Sequence, residues 1–396
     1  MKRILLVTSL YPADDIRIKN NTSVCHYFAK EWSRMGYEVR VIHLYNEYPL
    51  FFYPVLKLAK NILADRIDAA ILDKRENSEH RYTIDGIDVT RMPIHKLMPR
   101  GDYSEAEIRR VVQRIYSILQ ESHFSPDYIL GHFVLPGIRI VASLKSYFPD
   151  ACTTLSLHGK ERKVRKTVLK SLPSIDRLGY RSYPIKKAFE SLYGEWPFFM
   201  CMSGVPVEYI TDSTRTFEQG IHHFIYVGNL MQRKYPSCLI PAIAGAYGQE
   251  EYTITYVGDG NGVKDVRNEI ARCHPSGEVY FKGRLDREEV LKQMDGADVF
   301  IMISEKETFG LVYLEAMARG CITVASRDEG MDGVIIDGKN GFLCKAGDSE
   351  ELGRIVSRIK ALDKPALQEI SRCARMTAKA MTDSRMAEEY LNGLSR

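Results

Sequence analysis

The sequence predicts an α/β protein with two doubly wound parallel sheets. Short apolar runs of strand length alternate along the chain with stretches in which apolar residues recur at helical spacing. This alternation is typical of βαβ units, which place parallel strands in one sheet and helices on both of its faces. The length of 396 residues is more than one ordinary core requires, so we expect two domains.

The first half opens with a βαβ unit. Residues 4–10 are an apolar run that predicts a buried strand, and apolar side chains then recur at helical spacing from Val24 to Trp32, until Gly36 ends the helix. Residues 37–45 return as the second strand. Further strands are predicted at 82–92, 128–131 and 153–157, and a helix at 104–121.

The second half repeats the pattern more regularly. Five strands are predicted at 224–227, 253–257, 279–281, 299–303 and 322–325, with helical patterns between them. Between the halves, residues 212–220 are polar, lack any period and end in a glycine, which is the composition of a linker. We therefore expect one domain at 1–212 and another at 213–379, with a last helix within 380–396 that can pack back on the first domain.

Composition and charge exclude several classes of protein. The net charge of +4 is too small to indicate nucleic-acid binding, and the eight cysteines are scattered without a CxxC pair, which argues against zinc and a disulfide framework. The first apolar run is too short for a secretion signal, and no stretch approaches the ~20 apolar residues of a spanning helix. Residues 48–63 are apolar but interrupted by prolines, and we leave open a surface flap or a membrane-surface contact.

The segment 304–320 carries the clearest chemistry. It follows a buried strand and begins a helix near Phe309 and Gly310, so the first N–H groups of that helix suit a diphosphate. Glu307 precedes the helix and Glu315 lies in its second turn. An ionised carboxylate accepts hydroxyl protons and suits the diol of a sugar. The spacing alone leaves open that both are solvated surface glutamates.

This segment resembles the signature of the retaining glycosyltransferases of family 4, which have the GT-B fold. The resemblance extends over residues 221–360, and over the first half in outline. The other matching segments are 226–230 with Lys234, 256–260, 279–283, 297–300 and 337–342. The resemblance implies two Rossmann-like doubly wound parallel-sheet domains that face each other across a cleft.

The resemblance also implies roles for individual residues. Glu307 would hold hydroxyls of the donor sugar and Glu315 the ribose. The backbone of Phe309, Gly310 and Leu311 would meet the diphosphate.

One cationic position departs from the family. Asn229 follows Gly228 where the family has an arginine, while Lys234 takes the lysine position. Arg233 is the candidate to supply the missing charge to the departing phosphate. Base and sugar selectivity are expected near Gly283 and Arg284 and around His158.

The first domain contributes three further candidates by the same resemblance. His158 directly follows the strand at 153–157 and resembles the family's His-Gly strand end, where the histidine meets the donor sugar near the reacting carbon. Asn21 and Thr22 stand where the family has a glycine-rich first loop. Their side chains could donate hydrogen bonds to the diphosphate.

Two other stretches have a simpler interpretation beside the functional one. Residues 258–262 do not complete a dinucleotide fingerprint, because Val263 stands where the third glycine belongs, and we expect a tight glycine turn. Residues 160–187 contain ten basic and two acidic side chains. Either this run is a solvated face, or Lys160, Arg162 and Lys163 bind a phosphorylated acceptor or an anionic lipid surface.

The sequence therefore predicts a retaining glycosyltransferase of the hexosyltransferase type. It would move a sugar from a nucleotide-diphosphate sugar to a glycan or lipid-linked acceptor, in cell-surface polysaccharide or glycolipid biosynthesis. We expect no metal and no cofactor, no nucleic-acid partner, and a cytoplasmic location with peripheral contact to the inner face of the membrane. The alternatives are a GT-B nucleotide-sugar epimerase and a non-catalytic module that binds a nucleotide sugar or a membrane surface.

Overall fold

The computed structural model describes residues 1–13, 23–53, 75–98 and 101–395. The chain divides into two compact units. The first unit comprises Met1–Tyr180, Ala188–Cys201 and Ala387–Arg396, and the second comprises Arg181–Lys187 and Met202–Met386. The long second segment therefore starts ahead of the predicted boundary after residue 212, and the last ten residues belong to the first unit.

The first unit contains an eight-stranded sheet. Its strands are β1 (Arg3–Thr8), β2 (Glu38–Glu47), β3 (His80–Ile84), β4 (Ile87–His95), β5 (Tyr128–His132), β6 (Cys152–Leu157), β7 (Arg177–Tyr180) and β8 (Phe198–Met200). They lie in the order β3-β4-β2-β1-β5-β6-β7-β8. The central strand β1 pairs in parallel with both β2 and β5. Its apolar run is buried on both faces, as expected for the middle of a parallel sheet.

The prediction of a single strand at 82–92 is wrong. The structure has a hairpin there, in which β3 and β4 pair antiparallel and β3 forms the edge of the sheet. Asp85 and Gly86 make the turn with φ of +48° and +78°. An Asp-Gly pair is a strong signal for a two-residue hairpin turn, because both residues must take positive φ.

The second unit contains a six-stranded parallel sheet. Its strands are β9 (His223–Val227), β10 (Thr253–Val257), β11 (Glu278–Gly283), β12 (Val299–Ile301), β13 (Ile322–Ser326) and β14 (Phe342–Cys344). They lie in the order β11-β10-β9-β12-β13-β14. All five predicted strands are present, and the short edge strand β14 was not predicted. The chain reverses direction across the sheet between β9 and β12, which are neighbours, so the loops after these two strands meet at one edge.

Twelve helices alternate with the strands among the described residues. They are α1 (Val24–Arg34), α2 (Glu105–Glu121), α3 (Gly137–Leu144), α4 (Lys166–Ser171), α5 (Tyr183–Tyr193), α6 (Leu239–Tyr247), α7 (Val263–Cys273), α8 (Arg287–Asp295), α9 (Leu311–Ala318), α10 (Ser349–Lys360), α11 (Lys364–Ala380) and α12 (Asp383–Ser395). Polar N-caps fix several starts. Ser104 caps α2, and Asp286 forms a full capping box with Glu289 at α8.

The end of α12 completes the core of the first unit. Tyr390 is fully buried, and its ring lies 4.9 Å from that of Trp32, 5.2 Å from that of Phe28 and 4.7 Å from that of Phe199. The indole Nε1 of Trp32 donates to the carbonyl of Ala387 at 3.1 Å. The packing of these aromatic rings gives α12 a fixed position on the first unit.

The polar stretch at 212–220 is held within the second unit. Arg375 of α11 donates to the carbonyl oxygens of Asp212 at 3.2 Å and Ser213 at 2.8 Å. Phe217 is buried. The lack of periodicity, which suggested a linker, reflects an irregular segment fixed by side-chain hydrogen bonds.

Candidate functional site

The N-terminus of α9 is open to a ligand. Gly310 is its N-cap, with φ of +86°, and it has no side chain to cap the first N–H groups. A Cβ at this position would stand 2.5 Å from the ring of Tyr313 and 3.2 Å from Cγ of Glu307. Only glycine fits this turn, and it leaves the positive end of the helix accessible to an anion.

Lys234 and Glu307 lie beside that helix terminus. Their Nζ and Oε2 atoms are 3.4 Å apart, and both side chains are largely shielded from solvent. Lys234 ends a short helical turn after β9, while Glu307 lies in the loop after β12, so the neighbouring strands bring them together. Ser304 also donates to Oε2 of Glu307, at 3.4 Å. The structure thus places an ion pair where the sequence indicated a cation and a carboxylate.

Glu315 is a buried carboxylate with one oxygen left for a ligand. The residue is 3% exposed, and its Oε1 pairs with Arg287 at the start of α8. No donor meets its Oε2 in the part of the chain that the structure describes. Burial raises the pKa of Glu315, and the charge of Arg287 opposes that rise. A ligand hydroxyl would supply the missing hydrogen bond.

Sequence reasoning missed Arg287. It lies 28 residues before Glu315 in the chain, and its position in a helix first turn gives no functional signal. Helix α8 follows β11, and α9 follows β12. Recognising the pair requires knowing that the two helices are neighbours.

Asn229 and Arg233 shape the loop after β9 through the backbone. The Tyr226 hydroxyl donates to the carbonyl of Asn229 at 3.0 Å. Arg233 donates to the carbonyl of Glu305 at 3.1 Å, and the Glu305 N–H donates back to the carbonyl of Arg233 at 2.7 Å. This exchange ties the two loops together. That Arg233 supplies charge to a phosphate stays a prediction.

The predicted glycine turn after β10 is confirmed, with a packing role. Gly258 has φ of +128°, and a Cβ there would stand 2.0 Å from the carbonyl oxygen of Gly228. The Gly258 N–H donates to the carbonyl of Gly283 at 2.7 Å. These glycines let three strand-end loops approach each other closely. Arg284, the next residue, is exposed.

In the first unit, His158 follows β6 and pairs with a second histidine. Its Nε2 lies 2.9 Å from Nδ1 of His132, the last residue of β5, and its ring stacks on Phe133 at 4.0 Å. Cys25 is close by, and the donor atoms of Cys25, His132 and His158 lie within 4.8 Å of one another. Scattered single cysteines gave no hint of this cluster. The candidates Asn21 and Thr22 lie outside the described residues.

The basic run presents charge to solvent. Arg162 and Lys163 are exposed and Lys160 is half-buried. Val164 and Leu169, in the same run, are 48% and 47% exposed. Charged and apolar side chains therefore share this surface. Among the described residues no helix has the length and apolarity needed to cross a bilayer.

Known proteins resemble this chain in structure and in part of the sequence. The HepE protein of Anabaena, solved in complex with UDP, superposes with a TM-score of 0.68 and 18% identity, covering 100% of each chain. The N-acetyl-alpha-D-glucosaminyl L-malate synthase of Bacillus anthracis is 33% identical over 125 residues, which are 32% of this chain and 32% of the relative. The lipopolysaccharide core biosynthesis glycosyltransferase LpsE of Rhizobium meliloti is 32% identical over 135 residues, 34% of this chain and 38% of the relative.

The structural similarity and the sequence similarity cover different lengths of the chain. The structural match covers the whole chain and shows the GT-B fold, as expected from the sequence. The sequence matches span only about a third of the length of these curated relatives. Residues 216–379, which contain Lys234, Glu307 and Glu315, match the family model described as glycosyl transferases group 1.

Proposed function

We propose that this chain is a retaining, metal-independent glycosyltransferase of the hexosyltransferase type. It transfers a sugar from a nucleotide-diphosphate sugar to a glycan or lipid-linked acceptor, in cell-surface polysaccharide or glycolipid assembly. The family match of residues 216–379 supports transfer chemistry. The similarity to a lipopolysaccharide core glycosyltransferase supports the cell-surface setting.

One observation carries the proposal. The buried Glu315 keeps an unpartnered Oε2 one and a half helical turns from the open N-terminus of α9. At about 1.5 Å per residue, Gly310 and Glu315 are about 7.5 Å apart along the helix. A nucleoside diphosphate has an anionic end and a ribose diol at a comparable separation. It would satisfy both the helix N–H groups and the carboxylate.

The remaining roles are those that the resemblance of the sequence to the family implies. Lys234 neutralises charge that develops on the leaving diphosphate, and Glu307 accepts hydroxyls of the donor sugar. Arg233 and Asn229 shape the diphosphate loop, and Gly283 and Arg284 contribute to recognition of the base. In the first unit, His158 contacts the sugar, and Asn21 and Thr22 contact the diphosphate.

The chemical step is a front-face substitution. The bond between the anomeric carbon and the phosphate oxygen breaks, and the acceptor oxygen forms its bond to the same face of that carbon. The acceptor proton passes to the leaving phosphate. Lys160, Arg162 and Lys163 bind the acceptor phosphate or an anionic membrane surface.

Nucleotide binding tests the donor site. Thermal unfolding is measured with UDP, GDP, ADP or NAD, each with EDTA, for the wild type, Glu315→Gln and the exposed control Glu350→Gln. A ligand at a hundredfold excess over its Kd stabilises the fold by about 2.7 kcal/mol. We expect one nucleoside diphosphate to stabilise the wild type and Glu350→Gln, and to stabilise Glu315→Gln much less. Stabilisation by NAD alone, or by none of the four, would overturn the donor site.

Turnover then separates the transferase from its alternatives. UDP-glucose, UDP-N-acetylglucosamine and their GDP and ADP counterparts are each incubated with and without a lipid-diphosphate sugar acceptor, and sugar and nucleotide products are identified. Glycosyl transfer that requires the acceptor and retains the anomeric configuration supports the proposal. A changed sugar formed from the donor alone indicates an epimerase. Binding without turnover indicates a non-catalytic module.

A further inference from the structure

A chain of hydrogen bonds connects α12 to His158 inside the first unit. The hydroxyl oxygens of Ser156 and Tyr390 are 2.8 Å apart, the Tyr390 oxygen is 3.3 Å from Nε2 of His132, and Nδ1 of His132 is 2.9 Å from Nε2 of His158. Ser156, His132 and Tyr390 are at most 1% exposed. Water does not compete for the bonds that join Ser156, Tyr390 and His132, so the polarity of those bonds is set within the protein.

We infer that His132 and Tyr390 are positioning residues that fix the tautomer of His158, with its proton on Nδ1. The inference rests on the proposed function, in which His158 contacts the donor sugar. It goes beyond that function by assigning a role to two residues that lie behind His158, one of them on α12.

The direction of the hydrogen bonds follows from acidity. A phenol is a stronger acid than a serine hydroxyl, so Tyr390 donates to the imidazole of His132 and accepts from Ser156. Burial raises the pKa of Tyr390, which keeps its proton. With Nε2 of His132 accepting, the single N–H of that neutral ring is on Nδ1 and points to His158. Nε2 of His158 then accepts, which leaves the N–H of His158 on Nδ1, across the ring.

The spacing favours a shared proton over a metal ion between the two histidines. Two imidazole nitrogens bound to one tetrahedral zinc stand about 3.3 Å apart, given bond lengths of about 2.0–2.1 Å. The observed 2.9 Å between the nitrogens of His132 and His158 is the length of an N–H···N hydrogen bond. The nearby Cys25 thiol lies 3.5 Å from the hydroxyl of Thr8, which gives it a polar partner of its own.

Ring packing holds the orientation of each group independently of the hydrogen bonds. His158 stacks on Phe133, and the ring of Tyr390 lies parallel to that of His132 within 12°. Removing only the hydroxyl of Tyr390 therefore leaves the rings in place. Tyr390→Phe is the variant that separates proton position from packing.

Nitrogen-15 NMR of the histidine side chains reads the tautomer directly. His158 is assigned by the signals that His158→Gln removes. In the wild type we expect a protonated Nδ1 and an unprotonated Nε2, and in Tyr390→Phe a mixture of both tautomers. Tyr247→Phe is the matched control, because that buried phenol donates to the carbonyl of Ile221 in the second unit. A wild-type proton on Nε2, or an unchanged tautomer in Tyr390→Phe, would overturn the inference.

Kinetics with UDP-glucose, or with whichever donor the turnover experiment identifies, give a second readout. Losing one hydrogen bond corresponds to about a fivefold effect, so we expect Tyr390→Phe to lower kcat about fivefold with an unchanged Kd for the nucleotide. His132→Asn keeps an N–H near the position of Nδ1 and should retain kcat within about twofold, whereas His132→Val should not. In the His132→Asn background, Tyr390→Phe should cost nothing further. An equal loss of kcat in His132→Asn and His132→Val contradicts a positioning role.

The two proposals fail separately. If no nucleotide stabilises the second unit, the proposed function fails, and the NMR experiment still decides the tautomer of His158. If the nucleotide binds and turns over but the tautomer does not respond to Tyr390→Phe, only the positioning role fails.

Discussion

Gly258→Ala tests whether the glycines after β10 serve packing or phosphate contact. A Cβ at residue 258 would stand 2.0 Å from the carbonyl oxygen of Gly228 and 2.8 Å from its carbonyl carbon. Both neighbouring atoms are backbone, and they belong to a loop fixed by two hydrogen bonds: Gly228 N–H to Val257 and Gly258 N–H to Gly283, at 2.9 and 2.7 Å. The loop must shift by more than 1 Å to reach ordinary contact, and it loses at least one of these bonds.

The expected cost is about 4 kcal/mol. Overpacking against a rigid neighbour costs about 1–3 kcal/mol, and a non-glycine residue held at φ of +128° costs about 1–3 kcal/mol more. For a unit of this size, each kcal/mol shifts Tm by about 2–4 °C. We therefore expect Tm to fall by about 8–16 °C.

The assay is thermal and urea unfolding without any ligand. Gly245→Ala is the control, because a Cβ at this exposed position in α6 meets nothing within 4 Å. Alanine is a better helix former by about 0.8–1 kcal/mol, so the control should raise Tm slightly. A Gly258→Ala chain with wild-type Tm but weakened nucleotide binding would refute the packing interpretation and favour direct phosphate contact.

Three further variants test other features of the two units. Burial raises the pKa of Glu315, so the folded protein binds a proton at this carboxylate more tightly than the unfolded chain does. As pH rises from 5 to 8, Glu315→Gln should therefore gain stability relative to the wild type, measured by urea unfolding. A stability difference that does not change with pH would contradict this. Burial opposes ionisation of Glu107, but hydrogen bonds from Arg110 and from His95 outweigh it and lower its pKa to about 2. Glu107→Gln should thus cost about 1–3 kcal/mol at pH 7 and progressively less as pH falls toward 2, and a constant cost would show that the charge is not involved. Tyr390→Ala should cost about 3–5 kcal/mol by opening a cavity and shift tryptophan fluorescence to the red, and an unchanged spectrum would argue against its packing on Trp32.

The second sheet was predictable in part because its interior strands β9 and β12 are largely apolar and buried. Strand β10 alternates threonine with apolar residues, and a glycine directly follows both β9 and β10. The edge strand β14 has only three residues, too few to show any pattern. In the first unit, the residues of strand β3 alternate between half-buried and exposed positions. In the sequence, β3 and β4 therefore look like one long strand. The Asp85-Gly86 turn was the signal that separates them.

The site residues that lie close together in the chain were predictable from the sequence. Their partners from other segments were not. Glu307, Gly310 and Glu315 fall within nine residues, so one motif identifies them. Arg287 and His132 lie in other segments, 28 and 26 residues from their partners. Their significance depends on which strand ends are adjacent, and a single sequence does not give strand order.

The Lys234–Glu307 and Arg287–Glu315 ion pairs prepare the second unit differently for an anionic ligand. Under the proposed function, a diphosphate that reaches Lys234 displaces the Glu307 carboxylate, which now lies 3.4 Å away. A phosphate oxygen then takes the place of the carboxylate at Lys234, and Glu307 becomes available to accept hydroxyls of the sugar. Glu315 needs no such exchange, because Arg287 pairs with its Oε1 and no donor among the described residues meets its Oε2. The ribose therefore meets Glu315, which already has an oxygen ready to accept a hydrogen bond. The sugar meets Glu307, which the diphosphate must first displace from Lys234.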